Sequence, residues 1–524
     1  MNKIHIFLTS YYQSLLTNNN KYDIIFVATI SHKIFFLEDI MSKKQVKLDE
    51  KGFRKFGIMD KLAYAAGDAG CNLSFGLKGT VQTFWLVYMA METGLLSILL
   101  LLVQAWDAIN DPIIGAIIDA DTKRYKRGKF KSYILIGAIG LIVGGAAVFM
   151  PFPGANKVVK AVLFIVGYVI WDAAYTMANV PYGSMLSLVT EDAGERAQLS
   201  SWRSIGGMVG NILPGIILPM IIWKDVYDEN GEKLGQDLLG DRVFIAALLM
   251  GIIAFAFFWF MIKKITIRVD EYSVKTGEEA PKFNVVKAFG NFIKNRPAVG
   301  ATVAAMGMFL GMQSATTANN IMFATYFKNA QMSGLVMMVG FLPMFIFMPF
   351  IKKLVNRFGK KEAATAGTVV SVLGGLVMLV FPLVDISIAL VVYMAGLILF
   401  GLGMGVYTCV SWAMMADAID YSEWKFGKRE EGTVYSLHSF FRKLAQGIGP
   451  SIVIALLGVL GYVEGLGTTG QSPEMAYKAC WLVAGLYLFS AVCQLVGIGF
   501  IYNLDKKTLA KMNAELAERR GTNE

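Results

Sequence analysis

Long apolar runs alternate with short polar ones over most of the chain. From residue 57 onward twelve apolar spans are marked out, at about 57–88, 94–119, 132–150, 157–189, 202–223, 242–265, 297–327, 332–355, 363–382, 386–416, 433–461 and 476–502. Each meets the ~20-residue length a helix needs to cross a bilayer. Helices are the open-ended solution in lipid, where backbone groups must find partners within their own segment. The pattern predicts an all-α membrane protein with twelve transmembrane helices.

The polar runs carry orientation. Loops 123–131, 263–296, 352–361 and 425–429 are rich in Lys and Arg, whereas PFPGAN (151–156) and KDVYDENGEKLGQDLLGD (224–241) are uncharged or net acidic. By the positive-inside rule both termini are expected in the cytoplasm. The longest basic loop divides the chain into two six-helix bundles, 57–265 and 297–503, joined by a central cytoplasmic loop at 266–296 and followed by a cytoplasmic tail at 504–524. The halves echo each other. PIIGAIIDADTKRYKRGKFK after span two matches PFIKKLVNRFGKKE after span eight, and MLSLVTEDAGER after span four matches MMADAIDYSEWKFGKREEG after span ten. Parallel repeats of this kind place a substrate cavity at the repeat interface.

Residues 1–56 read as a cytoplasmic leader. Their apolar patches IIFVATI and IFFLEDI are too short to span, and Met41 opens a basic polar stretch, MSKKQVKLDEKGFRKFG, so translation is expected to begin at Met41.

Composition narrows the picture. The chain is 55% hydrophobic and only 17% charged, with a formal net charge of +10. That charge lies in inter-span loops, which excludes a nucleic-acid partner. Cys71, Cys409, Cys480 and Cys493 fall inside apolar spans without metal spacing and read as small apolar residues. No HExxH motif or His/Asp/Glu cluster suggests an enzyme, and no segment outside the spans is large enough for a signalling domain.

The chemistry concentrates in WDAINDPIIGAIIDADTKRYKRGKFK (106–131). Asp107, Asn110 and Asp111 share one helical face. A carboxylate at a bilayer centre is costly, by roughly 2.5–3.5 kcal/mol on insertion scales. Two stacked one turn apart also repel, and a cation or proton between them relieves both costs.

The strings AAGDAGCNLSF, WDAINDPIIG, RGKFKSYILIG, ANVPYGSM, ADAIDYSEWKFGKREEG and SLHSFFRKLAQGIG together resemble the glycoside-pentoside-hexuronide:cation symporters of the major facilitator superfamily. The resemblance covers about 57–500 and implies the major facilitator fold, alternating access, and a functional monomer in the cytoplasmic (inner) membrane. It also implies coupled entry of a small-molecule sugar with a monovalent cation, Na⁺ or H⁺, and no other cofactor. It assigns the cation to Asp107, Asn110, Asp111 and Thr176, with Asp107 and Asp111 as the metal-binding acids. Asp172 is added by this sequence one turn before Thr176. It either tightens cation binding or pairs with a neighbouring base. Among the family's sugar-binding positions, Asn72 and Asn179 replace acids and Gly183 replaces a stacking Trp. Arg203 and Lys443 match the family's bases, Lys78 is an extra base, and Asp68 and Ser439 complete the substrate candidates. Two readings stand: bases in excess suit an anionic sugar, while Arg203 and Lys443 paired with acids leave a neutral pocket. Asp417, Asp420 and Arg429 are expected to form gating ion pairs between the halves. Trp85, Trp171, Trp412 and Tyr407 are stacking candidates, with Trp85 better suited to interfacial anchoring. The rival substrate is an amphipathic or lipid-like molecule in an apolar cavity.

Overall fold

The structure, a computed structural model, describes residues 52–190, 192–269, 285–346, 350–427 and 431–519. Residues Ile58–Glu524 form one compact unit, and Met1–Gly57 form another, of which only 52–57 are described. Residues 1–40 and Met41 therefore lie outside the described residues, as does Arg429.

The protein is built of helices. Those used below are α1 (Ile58–Phe75), α2 (Thr93–Ala120), α3 (Lys129–Val148), α4 (Lys157–Val189), α5 (Ala193–Ile212), α6 (Gly240–Lys264), α7 (Arg296–Met308), α8 (Met332–Phe341), α9 (Lys360–Met378), α10 (Ile386–Phe426), α11 (Glu431–Val459) and α12 (Pro473–Leu495). Among the described residues ten helices are long and apolar enough to cross a membrane. Several of the helices, α4, α5 and α12 among them, start on side-chain caps that satisfy otherwise orphaned backbone amides. Asn156 accepts from the Val159 amide at 2.9 Å, Asp192 from Glu195 at 2.8 Å, and Ser472 from Met475 at 3.2 Å.

Several elements depart from the sequence reading, among them the eighth span, divided into Met332–Phe341, a 3-10 turn at Leu342–Ile346 and Ile351–Phe358. The first span is interrupted: α1 ends at Phe75, a short helix Lys78–Thr83 restarts the chain, and Phe84–Tyr88 forms a π turn. The break falls at Gly76 and Leu77, and it places Lys78 at the head of a new segment. The tenth span continues to Phe426, ten residues past the expected 416, because the polar stretch ADAIDYSEWKF keeps helical backbone after leaving the apolar zone. Between α5 and α6, where only a polar loop was read, Trp223–Tyr227 (β1) and Lys233–Leu238 (β2) pair antiparallel, with Trp223 opposite Leu238 and an irregularity at Val226/Tyr227.

Small residues set the closest helix approaches. A Cβ on Gly206 would enter the Ala65 carbonyl of α1, and one on Gly403 would enter the Gly367 carbonyl of α9. Only glycine permits backbones to meet at that range. The tail forms a helix, Lys506–Arg519, that lies against the end of α10. There Trp424 Nε1 donates to Glu515 at 2.6 Å. At the same end Asp121, just past α2, accepts from the Tyr125 hydroxyl, the Lys123 amide and the Tyr133 hydroxyl. Those donors hold its carboxyl down at about 2.

Candidate functional site

The site is assembled from α2, α4 and α11, with Lys78 reaching in from the broken first span. On α2, Gln104, Asp107, Asn110 and Asp111 fall at spacings of three and four and share a face. On α4, Tyr168, Asp172, Thr176 and Asn179 do the same. α11 can come close to α2 because Gly447 leaves room for the Gln104 side chain, which a Cβ there would strike.

The expected cation residues form one connected network. Thr176 donates to Asp111 Oδ1 at 2.9 Å and accepts from Asn110 Nδ2 at 2.9 Å. Asn110 also reaches Asp172 Oδ2 at 3.3 Å. Asn110, Asp172 and Thr176 are all buried, and the Lys443 ammonium is ion-paired with Asp111. Asp107 borders the same set, lying against Asp172 and within electrostatic reach of Lys443. It accepts from Gln104 Nε2 at 3.1 Å and has Lys78 Nζ at 3.9 Å. The two stacked carboxylates thus each face a different lysine. Among the described residues, no three His, Cys, Asp or Glu side chains converge as a metal-binding group.

Beside Asp107 lies a cavity of about 540 Å³. Its polar wall includes Lys78, Gln104, Asn211, Gln313 and Gln446, and methionines such as Met312 and Met337 face them. Of the residues the sequence proposed for substrate, none is among those lining it; Asp107, proposed for the cation, and Lys78, the extra base, are. Asp68 and Asn72 form a neighbouring cluster. Arg203 Nε donates to Asp68 Oδ1 at 2.9 Å, Asn72 Nδ2 donates to Asp68 Oδ2 at 3.0 Å, and Asn211 Nδ2 donates to Asn72 Oδ1 at 2.8 Å. Asn72 therefore meets the cavity through Asn211. Asn179 and Ser439 are half-buried and make no side-chain hydrogen bond among the described residues. The cavity glutamines were missed, although Gln104, a lone amide behind the apolar run LLSILLLLV, carried a signal that would have found it.

Other candidates have these partners in the structure. Asp417 binds Lys360 Nζ through both oxygens at 2.8 Å. Lys360 begins α9, on the same side of the central loop as α10, so this pair staples neighbouring helices rather than the two halves. Asp420 has polar partners of its own and lies at the same end. Trp85 is neither a stacking platform nor an interfacial anchor: it is 1% exposed and donates to the Val148 carbonyl at 2.9 Å. Trp171 and Tyr407 are also buried, and Trp412 stacks on Tyr435. The aromatic residues at the cavity are Phe75 and Tyr168 instead. His438 contacts Thr302 at 2.9 Å, the packing role suited to a lone intramembrane histidine.

The profile of the MFS/sugar transport protein family matches residues 63–506. The chain belongs to this family. This sugar-transporter-family protein is 28% identical over 477 residues to an uncharacterized symporter, YjmB, of Bacillus subtilis, covering 89% of this chain and 96% of the relative. It is 28% identical over 483 residues to the isoprimeverose transporter of Lactiplantibacillus pentosus (88% and 91% covered). It is 26% identical over 417 residues to a glucuronide carrier protein homolog of Escherichia coli (79% and 86% covered). Its fold is similar to that of a D-xylose-proton symporter, with a TM-score of 0.54 at 13% identity over 85% of this chain and 98% of the other. The family member is a multi-pass membrane transporter, not an enzyme.

Proposed function

We propose that the protein is a cation-coupled sugar symporter working by alternating access, with two six-helix bundles, both termini cytoplasmic, in a cell's inner membrane and functional as a monomer. The observation that carries this reading is the position of Asp107. Its carboxylate borders the amide-lined cavity and sits one turn from the hydrogen-bonded set of Asp111, Asn110, Thr176 and Asp172. Carboxylate, amide and hydroxyl oxygens are the hard donors that Na⁺ prefers, and the carboxylates serve H⁺ equally. No cofactor beyond that ion is called for. Lys443 holds a positive charge against Asp111, so a cation arriving there must displace it. That displacement gives the ion an effect on α11 as well as on α2 and α4, and coupling of this sort is reciprocal: sugar raises ion affinity by the factor by which ion raises sugar affinity. Relatives named as an isoprimeverose transporter, a glucuronide carrier homolog and sulfoquinovose importers support a sugar or sugar acid as cargo.

The methionine wall favours a second reading, an amphipathic substrate, since Met offers an adaptable apolar surface. Proteoliposomes separate the two. Neutral glycosides, pentosides and uronides are added with and without Na⁺ while external pH is recorded. Sugar-induced alkalinisation, or Na⁺-dependent accumulation, is the expected outcome. Silence across the panel with inserted, folded protein would reject the sugar reading in favour of the amphipathic one.

A further inference from the structure

The structure uses the three bases singled out by the sequence differently. Arg203 is hydrogen-bonded to Asp68 at 2.9 Å, Lys443 is paired with Asp111, and neither lines the cavity. Among the described lining residues the charged ones are Lys78 and Asp107. Their separation, 3.9 Å, is an ion-pair distance but too long for a hydrogen bond, so the ammonium keeps donors to offer elsewhere. Its other neighbours are the Phe75 ring, 5.1 Å from Nζ, the Tyr168 and Tyr175 hydroxyls, and the buried Asp172 carboxylate, which does not line the cavity. The break at Gly76 and Leu77 is what brings this lysine to the cavity wall.

We propose that Lys78 selects the charge of the substrate, binding the anionic group of a sugar acid once the coupling cation has taken its partner Asp107. This rests on the symport reading above and deepens it. While Asp107 and Lys78 face each other, the cavity carries no net charge. A cation bound at Asp107 offsets the one carboxylate that shares the cavity lining with the ammonium; Asp172 lies behind the lining, so the wall itself is left positively charged. A carboxylate or sulfonate on the substrate restores the balance, whereas a neutral sugar does not. Ion and anionic substrate therefore bind cooperatively. With one monovalent cation per monoanion the cargo carries no net charge. The pairing of Arg203 and Lys443 is what a neutral pocket requires of those two bases, and Lys78 is the base that overturns that conclusion. The amides of Asn211, Gln313 and Gln446 remain for the hydroxyls, as donors and acceptors together.

The test uses the full chain in proteoliposomes with labelled D-glucuronate, the 6-sulfonate of 6-deoxyglucose and D-glucose. It compares the wild type with Lys78→Gln and Lys78→Arg, under an inward Na⁺ or H⁺ gradient. Wild-type uptake of at least one of the two anions is expected to exceed that of glucose at least tenfold, and the preferred anion identifies its acid group. An imposed membrane potential should change that uptake less than twofold. Lys78→Gln should lower anion uptake and anion-induced thermal stabilisation in detergent at least tenfold in apparent affinity, and Lys78→Arg should retain most of both. Wild-type preference for glucose, a strong dependence on potential, or an unchanged anion preference in Lys78→Gln would overturn the proposal while leaving sugar symport standing. The first two readouts need no variant, so they decide the matter if Lys78→Gln fails to fold. Absence of uptake of every sugar by well-inserted wild type would instead overturn the symport reading itself.

Discussion

Asp107 and Asp111 lie one turn apart on α2 and meet different cations, Lys78 and Lys443. Removing one member of such a partly buried pair leaves the other uncompensated, which generally costs more than the pair contributes. Lys443→Gln is therefore expected to lower the melting temperature in detergent, by an amount corresponding to about 1–3 kcal/mol. Asp111→Asn combined with Lys443→Gln should recover most of that loss while still abolishing ion-driven accumulation. A double variant no more stable than the single one would show that the two groups do not interact. The grouping of Asp107, Asn110 and Asp111 on one face, and of Asp172 with Thr176 on another, is legible from spacing alone. Their partners are not. Lys443 is 332 residues from Asp111 in sequence, and local periodicity carries no information on which helices cross. Asn179, placed with the substrate by resemblance, shows the limit of residue-by-residue carry-over: it is half-buried and outside the lining of the cavity.

Among the elements, the apolar pattern located the helices well and their interruptions poorly. Hydropathy sums over a window and does not register a two-residue break, so 57–88 read as one span although the chain restarts at Lys78. The hairpin of β1 and β2 was invisible for a related reason: WKDVY and KLGQDL are too short and too polar to announce strands, and their pairing with each other is what settles them. Glycine runs were more informative. Gly206→Val should drive a side chain into the Ala65 carbonyl and lower the melting temperature by an amount equivalent to about 1–3 kcal/mol or more. Gly183→Ala is the control, since nothing lies within 4 Å of its added Cβ. It should be neutral or stabilising by up to about 1 kcal/mol through helix propensity. A thermal scan of both variants checks the pair, and equal losses would remove close packing as the cause.

Across the whole molecule, the helices before and after the central loop meet along α2 and α11 and are fastened together at the hairpin end. Gln236, 1% exposed, accepts from the Gln331 amide at 3.1 Å and reaches Asp225 at 2.7 Å, and Thr468 donates to its carbonyl and, at 3.2 Å, to Asp237. Glu464 accepts from the Thr93 amide at 2.8 Å nearby. Gln236→Ala removes side-chain bonds that hold the hairpin to the segment before α8. Amide exchange in residues 223–238 is expected to quicken by about tenfold, the equivalent of ~1.4 kcal/mol of local stability. Unchanged exchange there would mean that the backbone contacts alone keep this end shut.

That fastened end is also a place where the two halves could be held from outside the cavity. The hairpin and the 460s loop interlock over one mouth of the cavity's helices, and under the proposed topology they face the outside of the cell. An antibody fragment recognising the interlocked pair would oppose its separation without entering the cavity. Its inhibition would be noncompetitive, lowering the maximal velocity of uptake while leaving the concentration of sugar at half-saturation nearly unaltered.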